Sequence, residues 1–230
     1  MTSTDQTEEA AELAVEQRFM SAERLVFFSD AVVAIALTLL ALELPVPVGD
    51  SNHELVGGFR EHYEEYLAFL ISFAVIGIQW QGHHRTYGHV RGLAGRLVTF
   101  NLMWLLTIVV TPFATKVLTG DGAFQARFIT YAAVQALSGL FFLLMIMEIT
   151  RYDLRDPGTP RRAVIGAYVR VTSMTLAFAI SIPVCFLTHW AYACWAIIPG
   201  LIRSGMVLVD RRAKKPPREE SPQLSNVRSL

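Results

Sequence analysis

The chain has 230 residues, of which 53% are hydrophobic and 17% charged. Its mean hydropathy is +0.38, too apolar for an ordinary soluble domain, where charged residues run nearer a quarter. Twenty Lys and Arg balance twenty Asp and Glu, and this neutrality gives no support to a nucleic-acid binder or a polybasic peripheral protein.

Residues 1–24 form an acidic, polar segment carrying Asp5, Glu8, Glu9, Glu12 and Glu16. With no basic stretch leading into a cleavable apolar one, no signal peptide is expected, and this segment is expected to stay in the cytosol. A membrane-spanning helix needs about 20 mostly apolar residues, and six stretches qualify: 25–44, 66–83, 97–115, 128–149, 163–187 and 189–209. The sequence thus predicts an all-α membrane protein with a six-helix transmembrane domain over 25–209. Pro45 and Pro47 end the first span, Gly92 and Gly95 mark the loop between the second and third, and Pro199, Gly200 and Arg203 interrupt the sixth. From Asp210 to Leu230 the tail is charged, contains proline and is expected to be disordered. The two cysteines, Cys185 and Cys194, lie in apolar sequence and read as small buried hydrophobes.

Orientation follows from the Lys and Arg content of the loops. With residue 1 inside, the cytosolic segments hold sixteen basic residues, and the external ones hold Arg60, Lys116 and Arg127. That asymmetry predicts both termini in the cytosol. The external segments carry the carboxylates of Glu43, Asp50, Glu54, Glu61, Glu64, Glu65 and Asp121. Simple solvation accounts for all of them except Glu43.

Within the spans, several polar residues fall in the cytosolic third. Asp30 lies about 9 Å beyond Arg24 along the first helix, where an unpaired carboxylate costs at least about 2.5 kcal/mol. Two readings are open: Asp30 caps the inner end of a slightly shorter helix, or it is paired. Trp80 and His83 in the second helix, Asn101 and Trp104 in the third and Arg170 in the fifth lie at comparable depth, which favours a hydrogen-bonded cluster. In it, Ser29 and Asp30 would accept from some of His83, Asn101, Trp80 and Arg170 and so lock the first helix to its neighbours. Arg24 and Asp30 point to different helix faces and are not expected to pair with each other. No carboxylate or cysteine stands near His83, His84 or His89 at ligand spacing, so no metal and no cofactor are expected. Ile35, Leu39 and Leu42 fall at i, i+4 and i+7, with Thr38 beside them. By periodicity alone that stripe faces lipid or packs in the core as readily as it serves any function.

The inner end of the first span reads R-x-x-x-F-S-D, then seven residues, then T-L: Arg24, Phe28, Ser29, Asp30, Thr38 and Leu39. This pattern resembles the transmembrane protein 175 family, the lysosomal potassium channels and their bacterial relatives. Trp80 and His83 in W-x-x-H, Asn101, and Pro112-Phe113 extend the resemblance over roughly the first half of the chain. The resemblance implies six helices per repeat, with the first lining a central pore and no pore-loop (P-loop) selectivity filter. The chain agrees in lacking any T-V-G-Y-G stretch. A single R-x-x-x-F-S-D implies one repeat per chain and a homotetramer. By position, Ile35, Leu39 and Leu42 would form stacked hydrophobic rings, with Thr38 adding a hydroxyl layer, and Glu43 would concentrate cations at the outer mouth. The function implied is a potassium-selective, leak-type channel in the plasma membrane, with K+ as permeant ion and the lipid bilayer and its own copies as partners.

Two other classes fit the sequence less well. A proton-coupled secondary transporter would use Asp30, His83 and Arg170 as a relay, but the chain contains no second copy of the F-S-D segment such as internal repeats would leave. A membrane-bound enzyme is disfavoured by the lack of H-E-x-x-H, G-x-S-x-G or paired carboxylates in the spans.

Overall fold

A computed structural model describes residues 3–213, with side chains over 22–205. Seven α-helices follow in order: α1 (Ser3–Leu42), α2 (Asn52–Glu61), α3 (Tyr63–Tyr87), α4 (Leu97–Thr119), α5 (Phe124–Arg151), α6 (Arg161–Val184) and α7 (Ala193–Ala213). A single 3-10 turn, His189–Tyr192, leads into α7.

Among the described residues, four helical stretches are long and apolar enough to cross a membrane: Ala22–Leu42, Leu97–Thr119, Phe124–Arg151 and Arg161–Val184. The sequence predicts six spans. The helices corresponding to its second and sixth are equally long, but their composition is more polar. One end of α3 carries Gln79, Gln81, His83, His84 and Arg85, and α7 carries Arg203, Asp210, Arg211 and Arg212. Two further boundaries differ from expectation. α1 begins at Ser3, so the acidic segment continues the first span as helix, and α7 runs to Ala213. The rest of the tail expected to be disordered lies outside the described residues.

Helix α2 replaces what the sequence reads as loop. Ser51 caps its start by accepting from the Glu54 N–H at 3.3 Å, while the Glu54 carboxylate accepts from the Asp50 N–H at 2.8 Å. The outer end of α1 is tied to α3 by the Tyr66 hydroxyl, which donates to the Pro45 carbonyl at 2.7 Å.

Sequential helices pack side by side: α4 on α5, α5 on α6 and α6 on α7, with α1 lying against both α3 and α4. Two apolar clusters result. One joins Val33, Ala36 and Leu40 of α1 to Ile76, Trp104, Ile108, Phe142 and Met145. The other gathers Phe128, Tyr131, Phe178 and Cys185 with Trp195 packed on them. Cys185 is buried as the sequence predicts, whereas Cys194 is half-buried.

Small residues set the closest approaches, as membrane helix pairs require. A Cβ added at Gly139 of α5 would lie 2.1 Å from the Thr175 hydroxyl and 3.3 Å from the Thr175 Cα of α6. At Gly95, φ is +58° and an added Cβ would meet Tyr152 and Glu148. There the loop between α3 and α4 meets the loop after α5, with an antiparallel bridge between Val90 and Arg155 and an ion pair between Arg91 and Asp156.

Gly139→Leu is expected to force α5 and α6 apart and to destabilise the protein by roughly 1–3 kcal/mol, the usual cost of overpacking. Gly77→Leu, where an added Cβ meets nothing within 4 Å, should leave the thermal midpoint in detergent almost unchanged. Equal losses in the two variants would show that the Gly139 contact does not set the α5–α6 spacing.

Candidate functional site

Helix α1 has two faces. Ser29, Val33, Ala36 and Leu40 recur at i, i+4, i+7 and i+11, and none is more than 2% exposed. On the opposite face Ile35 is 59% and Leu42 is 79% exposed, with Thr38 and Leu39 between them and Arg24 and Phe28 also exposed. The Thr38 hydroxyl donates to the Ile35 carbonyl at 2.7 Å, so its polarity is turned partly back onto the helix. All four candidate pore residues therefore lie outside the packed core of the chain.

The buried face is held by a directional hydrogen-bond chain. The Asn101 amide of α4 donates from Nδ2 to the Ser29 Oγ at 2.9 Å, and Ser29 donates onward to the Leu25 carbonyl at 2.7 Å. The other end of the Asn101 amide, Oδ1, lies 2.8 Å from His83 Nε2. With Nδ2 committed to Ser29, Oδ1 must accept, and His83 is the tautomer that carries hydrogen on Nε2. Its ring is fully buried, stacked on Trp104 at 4.6 Å and on Tyr87 at 4.3 Å, and Nδ1 has no hydrogen-bond partner. That environment suits a neutral, structural imidazole. Asp30 is half-buried and accepts from the Trp80 indole at 2.8 Å.

The structure thus brings Ser29, Asp30, Trp80, His83 and Asn101 together as a trio, Ser29 with Asn101 and His83, beside a pair, Asp30 with Trp80. Arg170 stands apart from them. It is exposed on α6, which packs chiefly on α5 and α7, and it lines a groove with Arg85. Among the described residues no hydrogen bond joins Asp30, His83 and Arg170, so the geometry offers no relay linking those three. Glu43 also has a different setting from the expected free carboxylate: Lys116 of α4 pairs with it and offsets its charge.

A second polar ladder, which sequence reasoning missed, continues outward between α3, α4 and α5. The Gln79 amide donates to the Gln135 carbonyl oxygen at 2.9 Å, and the Gln79 oxygen accepts from the Trp104 indole at 3.1 Å and from the Ser138 hydroxyl. Gln135 donates to the Thr111 hydroxyl at 3.2 Å. Thr115 reaches the Ser72 hydroxyl at 2.8 Å, and Ser72 donates to that of Tyr131 at 3.1 Å. The signal was available in the spacing of α4, where Asn101, Trp104, Thr111 and Thr115 share one face. Among the described residues no group of His, Cys, Asp and Glu is placed to hold a metal ion.

Residues 24–112 match the family model described as endosomal/lysosomal potassium channel TMEM175. A potassium channel of Streptomyces collinus is 29% identical over 170 residues, 72% of this chain and 82% of that one. A potassium channel of a Chryseobacterium species is 31% identical over 134 residues, 58% of this chain and 68% of that one. In fold, the chain resembles a crystal structure described as a lysosomal potassium-selective channel TMEM175 homolog from Chamaesiphon minutus. That likeness has a TM-score of 0.64 and 22% identity, and covers 85% of this chain and all of the other.

Asn101→Leu strands the Nε2 donor of His83 and is expected to cost roughly 1–3 kcal/mol of stability. In a double-mutant cycle, Ser29→Ala and Asn101→Ala should couple by about 0.6 kcal/mol or more, as interhelical polar pairs in membranes do. Thermal or denaturant unfolding in detergent reads both values, and strict additivity would remove the bond as a tie between α1 and α4.

Proposed function

The chain belongs to the TMEM175 family, and on that basis we propose that it is a potassium-selective, leak-type channel. Four copies would surround a pore lined by α1, with six spans per subunit formed by α1 and α3 to α7 and no pore-loop filter. The observation that carries the reading is the division of α1 into a buried face held by Ser29 and an exposed face bearing Ile35, Thr38, Leu39 and Leu42. A fourfold axis facing that stripe makes stacked apolar rings that close by dewetting and open by small movements of the helices. Selectivity without carbonyl ligands rests on hydration. Potassium rearranges its water shell at lower cost than sodium, so a narrow passage that offers little coordination favours it.

The membrane assigned is the plasma membrane, with both termini in the cytosol, in keeping with the excess of Lys and Arg in the segments placed there. At the outer end, the Glu43 and Lys116 pair makes the mouth less negative than the carboxylates alone would. A proton-coupled carrier draws no support from the position of Arg170 on α6, apart from Asp30 and His83.

Purified protein in liposomes is expected to pass potassium faster than sodium, without saturation and without obligatory proton exchange. Ile35→Asn and Leu39→Asp should each raise cation flux and reduce the preference for potassium, by roughly tenfold for every 1.4 kcal/mol removed from the barrier. Flux that both substitutions leave unchanged would place the stripe against lipid and sink the pore assignment.

A further inference from the structure

Between α3, α5 and α6 the packing leaves an open groove in two lobes, of about 100 Å³ and about 260 Å³, that share Arg85, Thr86, Ala167 and Arg170. Its walls are largely apolar, with Phe142, Met174 and Val171 in one lobe and Ile146, Ile149 and Val164 in the other. The charge it contains is of one sign. Arg85 and Arg170 have no carboxylate within 4.0 Å among the described residues, where the ion pairs found lie elsewhere.

Arg170 lies nine residues into α6, about 13 Å along the helix, a depth at which an uncompensated guanidinium is costly. Its side chain runs back toward the start of the helix. A Cβ built at Gly166, one turn earlier, would lie 3.6 Å from Arg170 Nη1, an ordinary contact distance that places the guanidinium beside residue 166. Among the described residues the Arg85 guanidinium makes one hydrogen bond, to the neutral Gln81 side chain at 3.3 Å. At the loop end of the groove the Thr159 hydroxyl and Arg155 Nε are buried without a hydrogen-bond partner, although another nitrogen of Arg155 pairs with Asp153. Buried polar atoms are normally satisfied. Here they line the same cleft as two unpaired cations.

We propose that this groove is a binding site for an anionic phospholipid. Its phosphate would sit between Arg85 and Arg170, with the Thr159 hydroxyl within the headgroup lobe and an acyl chain along the apolar wall of α5 and α6. Basic pockets between membrane helices recognise lipid headgroups in this way, and the groove needs an amphiphile because it offers cationic and apolar surface side by side. The site lies away from the exposed face of α1, so the proposal stands or falls independently of the pore reading.

The test is lipid retention by the full-length protein in detergent, read by native mass spectrometry after exchange into mixtures of phosphatidylglycerol and phosphatidylcholine. Wild type is expected to keep phosphatidylglycerol in preference. Arg85→Gln with Arg170→Gln should weaken that retention roughly tenfold or more, at the usual contribution of a basic residue near an anionic headgroup. Ala167→Trp, which fills the groove and leaves its charge intact, should weaken it too. Arg162→Gln, on the exposed start of α6 outside the groove, should bind as wild type does. Equal retention of both lipids, unchanged phosphatidylglycerol binding in the double variant, or complete displacement by millimolar inorganic phosphate would each overturn the assignment. The last result would mark an anion site with no use for the acyl chain.

Discussion

Inside a bilayer a polar group has no water with which to replace a lost partner, and the bond from Asn101 to Ser29 is where that constraint bears most directly on this chain. Ser29 shares its helical face with Val33, Ala36 and Leu40, so the rotation that satisfies its hydroxyl also buries those three side chains. Turning α1 by one residue, about 100°, would break the hydrogen bond and pull the apolar face out of the core together. The exposure of Ile35, Thr38, Leu39 and Leu42 is the other side of the same restraint. Apolar contacts alone would hold α1 less specifically, because they are not directional. The polar tie selects one rotational setting from several that bury similar area.

Much of this was legible in the sequence. Apolar runs located six of the helices to within a few residues, apart from the start of α1 at Ser3, and the depth of Ser29, Asp30, Trp80, His83 and Asn101 singled out the side chains that meet. What the sequence left open was which of them pair. By depth, Ser29 and Asp30 could each accept from any of His83, Asn101, Trp80 and Arg170, yet Asn101 takes both Ser29 and His83 and Trp80 takes Asp30, because pairing follows the angular position of each residue on its helix as well as its depth. Arg170 was grouped with the cluster by depth alone, and its face of α6 points elsewhere. Gln79 and Gln135 were hidden for a related reason. Gln135 is a single amide in an apolar stretch and Gln79 opens the polar end of α3, and only the approach of α3 to α5 turns the two into a pair. Helix α2 escaped because its ten residues include two glycines and no apolar periodicity long enough to read.

The zero net charge is distributed by the same logic. Basic residues that find carboxylates tie segments together: Lys116 joins α4 to the outer end of α1, and Arg91 joins the two loops at the opposite end through Asp156. The loop pairing is reinforced by backbone bonds on both sides of the Val90 and Arg155 bridge. As exposed pairs, each ion pair contributes only about 0–1 kcal/mol. Their effect is on geometry: the α3–α4 loop is held against the α5–α6 loop. Arg85 and Arg170 are among the basic residues with no carboxylate within 4.0 Å among the described residues, and they share the cleft between α3, α5 and α6.

The restraints on α1 are unevenly spread along its length, and this bears on how a pore lined by α1 would move. Ser29 and Asp30 fix one point by hydrogen bonds to α4 and α3, while beyond Val33 the helix is held by apolar packing until Tyr66 meets Pro45. Rocking about the Ser29 tie preserves that bond, whereas sliding or rolling the whole helix breaks it at roughly 1–3 kcal/mol per subunit. From Ser29 to Ile35 is about 9 Å along the axis, and to Leu42 about 20 Å. A given tilt therefore moves Leu42 about twice as far as Ile35. In the proposed tetramer the outer ring would respond most to small displacements of α1, while the ring nearest the tie would keep its radius. In such a tetramer Ile35 would be the better placed to set a constant narrow passage, and Leu42 to open and close it once the outer ties of Tyr66 to Pro45 and Lys116 to Glu43 yield.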